Sequence, residues 1–295
     1  MKIKNSISSL KVRMLGYVFA ALSVVCIALR TYQMFTCIEP VTGFNVGPQW
    51  LMILLYVLLF GGCLAFCVIS YLSKDTAELQ PMGIKSSSVS VLAFLMAFQF
   101  LVDWISNVFG GADTLSGTGT AEGGFKTLMA SGLLTGTLQG IFAFFSMIYM
   151  VIFAFDMRKG TAVASKFKIL ALAPAGWASV RLVGRFITQI SFLEISDLFL
   201  ELVMLSFTAM FFMSFAQVSS GVNSTGFSWR LCGFGYSAAL IASTLFISRG
   251  AVSVIKGSEV LNPSLLANTQ DLAFAVFAVV LISEMLKKSR VNEEV

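Results

Sequence analysis

The chain contains no histidine. That absence excludes Ser–His and Cys–His nucleophile pairs, imidazole acid–base catalysis and histidine-ligated metals or haem. Charge is scarce too: Asp, Glu, Lys and Arg make up 12% of the residues, against about 25% in an average soluble protein. No CxxC pair and no GxxxxGK[ST] run occurs, so neither a thiol-redox motif nor a nucleotide phosphate loop is present. Cysteine is limited to Cys26, Cys37, Cys63, Cys67 and Cys232, an odd number. Cys63 and Cys67 share a helix face at i,i+4, a spacing that could hold a soft metal. A buried cysteine more often packs as a small apolar residue, and that reading is preferred here. No metal and no cofactor is expected.

What the chain has in excess is apolar surface. Of its 295 residues, 57% are hydrophobic and 28 are phenylalanine. A soluble core of this size could not hide that much apolar surface, so the solvent must be lipid. Eight runs are long enough to cross about 30 Å of hydrocarbon as helices. They lie near 12–31, 49–72, 89–109, 127–153, 168–190, 192–217, 228–248 and 270–287. No connection between them approaches the roughly 50 residues of an independent domain. The expected fold is therefore all-α: a polytopic integral membrane helix bundle forming one transmembrane domain over 1–295, with no soluble domain. The first run follows a basic segment but precedes no small-x-small site, so it is read as an uncleaved span.

Orientation follows from Lys and Arg. With the N-terminus inside, inner segments hold fourteen of the twenty basic residues and outer segments hold Arg30, Lys126, Arg249 and Lys256. This bias predicts that both termini are cytoplasmic. The net charge of +5 is then mostly a topology signal. Its scatter along loop edges, without interleaved aromatics, gives no support to a nucleic-acid partner.

Ionisable groups inside spans cost about 2.5–3.5 kcal/mol each on insertion scales, so each needs a reason. In the fifth span Trp177, Arg181, Arg185 and Gln189 recur every four residues and form one stripe. Glu194, Asp197 and Glu201 form another at the start of the sixth. Ser191 to Glu194 (SFLE) fits a capping box, which places a tight turn between the two helices. Folding the pair antiparallel about Ser191 sets Arg185 opposite Asp197 and Arg181 opposite Glu201, the latter about 14 Å deep by helical rise. These two pairs are expected as structural ion pairs, either a clamp or the charged wall of a polar cavity.

Neighbouring spans carry more polar stripes: Gln99, Asp103 and Asn107 in the third, and Ser131, Thr135 and Gln139 in the fourth. Asp103 has no obvious local partner. Together with Trp177, Arg181, Arg185 and Glu201, the residues Gln99, Asp103, Asn107 and Gln139 are the candidate ligand-binding set. Gly132, Gly136 and Gly140 repeat every four residues in the fourth span and predict close helix packing, within the chain or between copies. Pro174 is expected to kink the fifth span. The glycine-rich stretch 111–124 reads as a linker, and Asn223-Ser224-Thr225 as a silent glycosylation pattern on the inner side.

The stretch WASVRL…FITQI…ISDLF over 177–199 loosely resembles small multi-span bacterial membrane proteins of no assigned function. The resemblance implies a bacterial plasma membrane and carries no activity. The function expected from the residues is binding or transport of a small polar or anionic solute through an outward-facing pocket among spans three to six. The alternative is a non-catalytic sensor, an immunity or assembly factor, or a subunit of a membrane complex, with a second copy or a partner membrane chain beside it. An intramembrane enzyme is the least expected class, since no second unpaired aspartate stands beside Asp103.

Overall fold

The computed structural model describes residues 2–37, 46–73, 85–117, 133–187, 195–221, 227–256 and 268–294. Among them, eight α-helices follow one another: α1 (Lys2–Thr36), α2 (Gln49–Leu72), α3 (Ser87–Gly117), α4 (Leu133–Lys159), α5 (Ala173–Ile187), α6 (Ile195–Ser219), α7 (Phe227–Lys256) and α8 (Thr269–Glu294). Seven of them are long and apolar enough to cross a membrane. The protein is an all-α, multi-pass membrane bundle.

The expected fifth span, 168–190, is different in kind. Helix α5 has 15 residues, about 22 Å at 1.5 Å per residue, well short of the roughly 30 Å of a bilayer core. Ahead of it the chain makes two 3-10 turns, Val163–Lys166 and Leu170–Leu172. An apolar run has the same hydropathy whether it is wound as α-helix or not, so hydropathy alone could not show the break. Pro174 does not kink a continuous helix. It is the second residue of α5, where a missing N–H breaks no hydrogen bond, and it marks the start of the helix.

Asp156, near the end of α4, is buried and fixes the entry to this segment. Its carboxylate accepts from the Thr161 hydroxyl at 2.5 Å and from the Ala164 backbone N–H. From there the chain climbs back along α4. A methyl group at Gly176 would meet the Phe142 ring, and one at Gly184 would touch Thr135. Helix α5 therefore runs antiparallel along the half of α4 nearest Leu133.

The core is aromatic and small-residue packing rather than a hydrophobic interior set against water, as expected where lipid is the solvent. Phe211, Phe212 and Phe215 on α6 pack on Phe274 and Phe277 of α8, with the Phe211 and Phe274 rings edge to face at 5.4 Å. Helix α7 is the central element, in contact with α1, α2, α6 and α8. Its small residues permit that: a methyl group at Gly233 would come within 3.2 Å of the Cys67 Cα on α2. The hydroxyls of Ser146, Thr208, Thr244 and Ser248 donate to carbonyls four residues back in their own helices, which satisfies them without a partner helix. Many large apolar side chains, such as Val57, Leu64, Phe98 and Phe109, stay exposed on the outside of the bundle, as a lipid-facing surface requires.

The glycine series is used inside the chain. Gly136 and Gly140 lie against α3, with Asn107 and Trp104 beside them. Gly132 falls outside the described residues, as do Ser131, the turn at Ser191, Gln189, Glu194 and the Asn223-Ser224-Thr225 pattern. The stretch 111–124 is not a linker throughout, because α3 continues to Gly117.

Candidate functional site: charged networks around the half-length helix

Among the described residues, six buried charged side chains gather at one end of the bundle, where α1, α5 and α7 finish and α6 and α8 begin. Helix direction explains the arrangement. Asp197 and Asp271 occupy the first turns of α6 and α8, and Arg185 the last turn of α5. Carboxylates thus sit at positive helix N-termini and a guanidinium at a negative C-terminus. Arg30, Arg181, Arg249, Asp197, Glu201 and Asp271 are all buried.

Their pairing forms one connected network. Arg181 Nη1 donates to Asp271 Oδ1 at 3.1 Å and to Gln270 Oε1 at 3.4 Å. Its Nη2 faces Glu201 Oε1 at 3.6 Å, the pair set opposite by the antiparallel register. Arg185 Nη2 lies 3.0 Å from the same Glu201 oxygen. Arg249 reaches Asp197 at 3.5 Å and Glu201 at 4.0 Å. Arg30 donates to the other oxygen of Asp197, while its Nη1 donates to Gln33, which in turn donates to the Leu51 carbonyl at the start of α2.

Where the register set Arg185 opposite Asp197, the structure pairs Arg185 with Glu201, and Asp197 with Arg30 and Arg249. Arg181 and Arg185 are one turn apart on α5, and both side chains reach Glu201. Asp197 is held by α1 and α7 instead. An antiparallel register sets one helix opposite α6, whereas arginines from three helices, α1, α5 and α7, share this face of it. Arg30 and Arg249, first assigned to outer segments, are buried members of the network.

A second network meets the first on α5. Asp103 on α3 accepts from both Gln139 on α4, at 3.1 and 3.0 Å to its two oxygens, and the Trp177 indole N–H at 2.7 Å. These are the partners its own span does not offer. Asn107 donates to the Asp103 backbone carbonyl at 2.8 Å and does not reach the carboxylate with that bond. Gln99 stands apart, accepting from Thr269 on α8 at 3.3 Å at an exposed edge. Trp177 links the two networks: the Arg181 guanidinium lies 5.5 Å from the centre of the Trp177 ring, within cation–π range.

Of the candidate ligand-binding set, the structure thus joins Asp103, Gln139, Trp177, Arg181, Arg185 and Glu201 through α5. It leaves Gln99 outside, and Asn107 at the margin. Sequence reasoning missed Arg30, Gln33, Arg249, Gln270 and Asp271. One signal was available: Asn268 caps α8 by accepting from the Gln270 N–H at 3.0 Å, which marks the helix start and carries Asp271 into the buried first turn. Cys63 and Cys67 both lie near Ser237, at 3.9 Å from its carbonyl oxygen and 4.0 Å from its hydroxyl respectively, which is packing geometry between α2 and α7.

No known protein family, curated protein or solved structure matches the chain.

Proposed function

We propose that the protein binds a small polar solute at the charged end of the bundle and passes it along the half-length helix α5. The observation that carries this reading is the discontinuous helix itself. Helix α5 starts part-way along its neighbours and presents Trp177, Arg181 and Arg185 to polar groups on three other helices, α3, α6 and α8. Membrane proteins that move solutes place their sites at such broken helices, where polar groups have a reason to be in the membrane. The chain has no nucleotide-binding loop, so movement would follow a gradient, a coupled ion or a partner chain.

The basic residues support cytoplasmic termini more strongly once the network is known. Removing Arg30 and Arg249 from the four outer residues leaves Lys126 and Lys256, two against fourteen. With that orientation the network lies in the outer half of a plasma membrane, facing outward. Neither network calls for catalysis, and we assign no reaction to them.

A second reading, a sensor or the subunit of a larger membrane complex, is favoured by one feature. The buried acids and arginines neutralise one another within the chain, as a structural clamp requires. Thermal unfolding of the detergent-solubilised protein against a panel of sugars, amino acids, organic acids and inorganic ions separates the two. A solute that raises the melting temperature saturably supports binding. A flat response to the whole panel, with a partner chain that co-purifies in fixed ratio, supports the subunit reading.

A further inference from the structure

The hydrogen-bond balance of the charged network is one-sided. Among the described residues, six buried side-chain nitrogen and oxygen atoms lack a hydrogen-bond partner, and four of them are N–H donors of this one network: Arg30 Nε, Arg181 Nη2, Arg249 Nε and Gln270 Nε2. No carboxylate oxygen of the network is among the six. A buried donor without an acceptor is costly, so four in one network call for an acceptor.

Two of the four lie close together. Gln270 is 5% exposed, and its amide oxygen is fixed on Arg181 Nη1, which brings its unbonded Nε2 beside the Arg181 guanidinium. Arg181 Nη2 faces Glu201 at 3.6 Å, beyond hydrogen-bond length, and has no hydrogen-bond partner among the described residues. Arg249 reaches the same Glu201 from α7. A ligand made only of acceptor atoms suits these donors, and a cation does not.

We propose that the α5–α7–α8 corner, through Arg181, Gln270 and Arg249, is a binding site for a small monovalent anion. This rests on the solute-binding reading and moves its centre from the α3–α6 region to the start of α8. The ion must be small because the donors are buried. A monovalent ion suits the site best because Arg30, Arg181 and Arg249 already face Asp197, Glu201 and Asp271, so every added negative charge stands against a balanced network and a second would double the cost. The loosely held Glu201 is the group an incoming anion would displace from Arg181, leaving it to Arg185 and Arg249.

The test uses the full-length protein in detergent at constant ionic strength. Chloride, formate and phosphate are titrated against the bulky anion gluconate, with a neutral panel of sugars and zwitterionic amino acids alongside. The melting temperature should rise saturably with chloride or formate and not with gluconate. In Gln270→Met, the ion's apparent affinity, measured against that variant's own unliganded melting temperature, should fall at least about tenfold. Arg249→Lys keeps the charge and removes the Nε donor, and should weaken the same ion in the same direction. A response to a neutral solute with none to the anions overturns this proposal and leaves solute binding standing. No response to anything overturns both. Stabilisation by phosphatidylglycerol-doped micelles alone, with no response to the salts, also overturns it, since a lipid headgroup would then be the occupant. An anion response unchanged in both variants places the site elsewhere and overturns the assignment.

Discussion

The indole N–H of Trp177 donates to Asp103 at 2.7 Å while the Arg181 guanidinium rests over the same ring, 5.5 Å from its centre. One side chain thus joins an acid on α3 to the arginine at the heart of the network on α5 to α8. Trp177→Phe keeps an aromatic ring facing Phe100, the edge-to-face neighbour at 5.0 Å, and removes the donor together with part of the buried ring. Asp103 is then left with Gln139. The expected loss is at least about 1–2 kcal/mol, the scale of one hydrogen bond to a partly buried carboxylate, with the smaller ring adding to it. Denaturant unfolding in detergent measures it. An unchanged midpoint would mean the bond contributes nothing.

Arg181 and Arg185 sit one turn apart and touch the same carboxylate, yet their truncations should differ widely. The Arg181 side chain is 7% exposed and Arg185 is 42% exposed. Arg181→Ala strands the buried carboxylate of Asp271 and weakens the hold on Glu201, a loss of about 3–5 kcal/mol if the protein still inserts. Arg185→Ala removes a half-exposed partner from a carboxylate that keeps others, and should cost less than about 1 kcal/mol. Comparing the two melting curves settles the order.

Exchanging the charges of Arg181 and Glu201 should not restore a protein damaged by Arg181→Glu. In a lone pair the double exchange would rescue. Here Arg181→Glu also faces Asp271, and Glu201→Arg also faces Arg185 and Arg249. Membrane accumulation of the double variant should be no better than that of the single one. Full rescue would show that the pair acts alone and that the network contacts carry little weight.

Two glycines on α5 give a sharp contrast in packing. A methyl group at Gly176 would lie 2.5 Å from a Phe142 ring carbon, so the ring must move. At Gly184 the nearest atom, the Thr135 Cβ, is at 3.6 Å, an ordinary contact. Replacing a helical glycine by alanine gains up to about 1 kcal/mol in helix propensity, and overpacking costs about 1–3 kcal/mol. Gly184→Ala should therefore hold or raise the melting temperature, and Gly176→Ala should lower it.

Apolar runs and the charges inside them are properties of the chain itself, so the membrane bundle, the Arg181 and Glu201 stripe positions and the lack of a partner for the Asp103 carboxylate within its own span were legible. Pairing across the bundle was not. Asp197 is bound by Arg30, 167 residues away, and by Arg249, 52 residues away, and no local register points to either. Arg30 and Arg249 stand near the ends of apolar runs, where a loop charge and a buried charge look alike. Pro174 carried a usable signal of another kind: proline in the first turn announces a helix start, and reading it that way would have shortened the fifth span.

The central claim is that a solute occupies the Arg181 corner beside Trp177, the one buried tryptophan of the four, at 2% exposure. A protein carrying Trp50→Phe, Trp104→Phe and Trp229→Phe reports from Trp177 alone. Its emission should change saturably when sodium formate or sodium chloride is titrated at constant ionic strength, with a half-point matching the thermal shift, and Gln270→Met should move that half-point to higher concentration. Emission that stays constant while the same salts stabilise the protein would place the solute away from α5 and contradict the account.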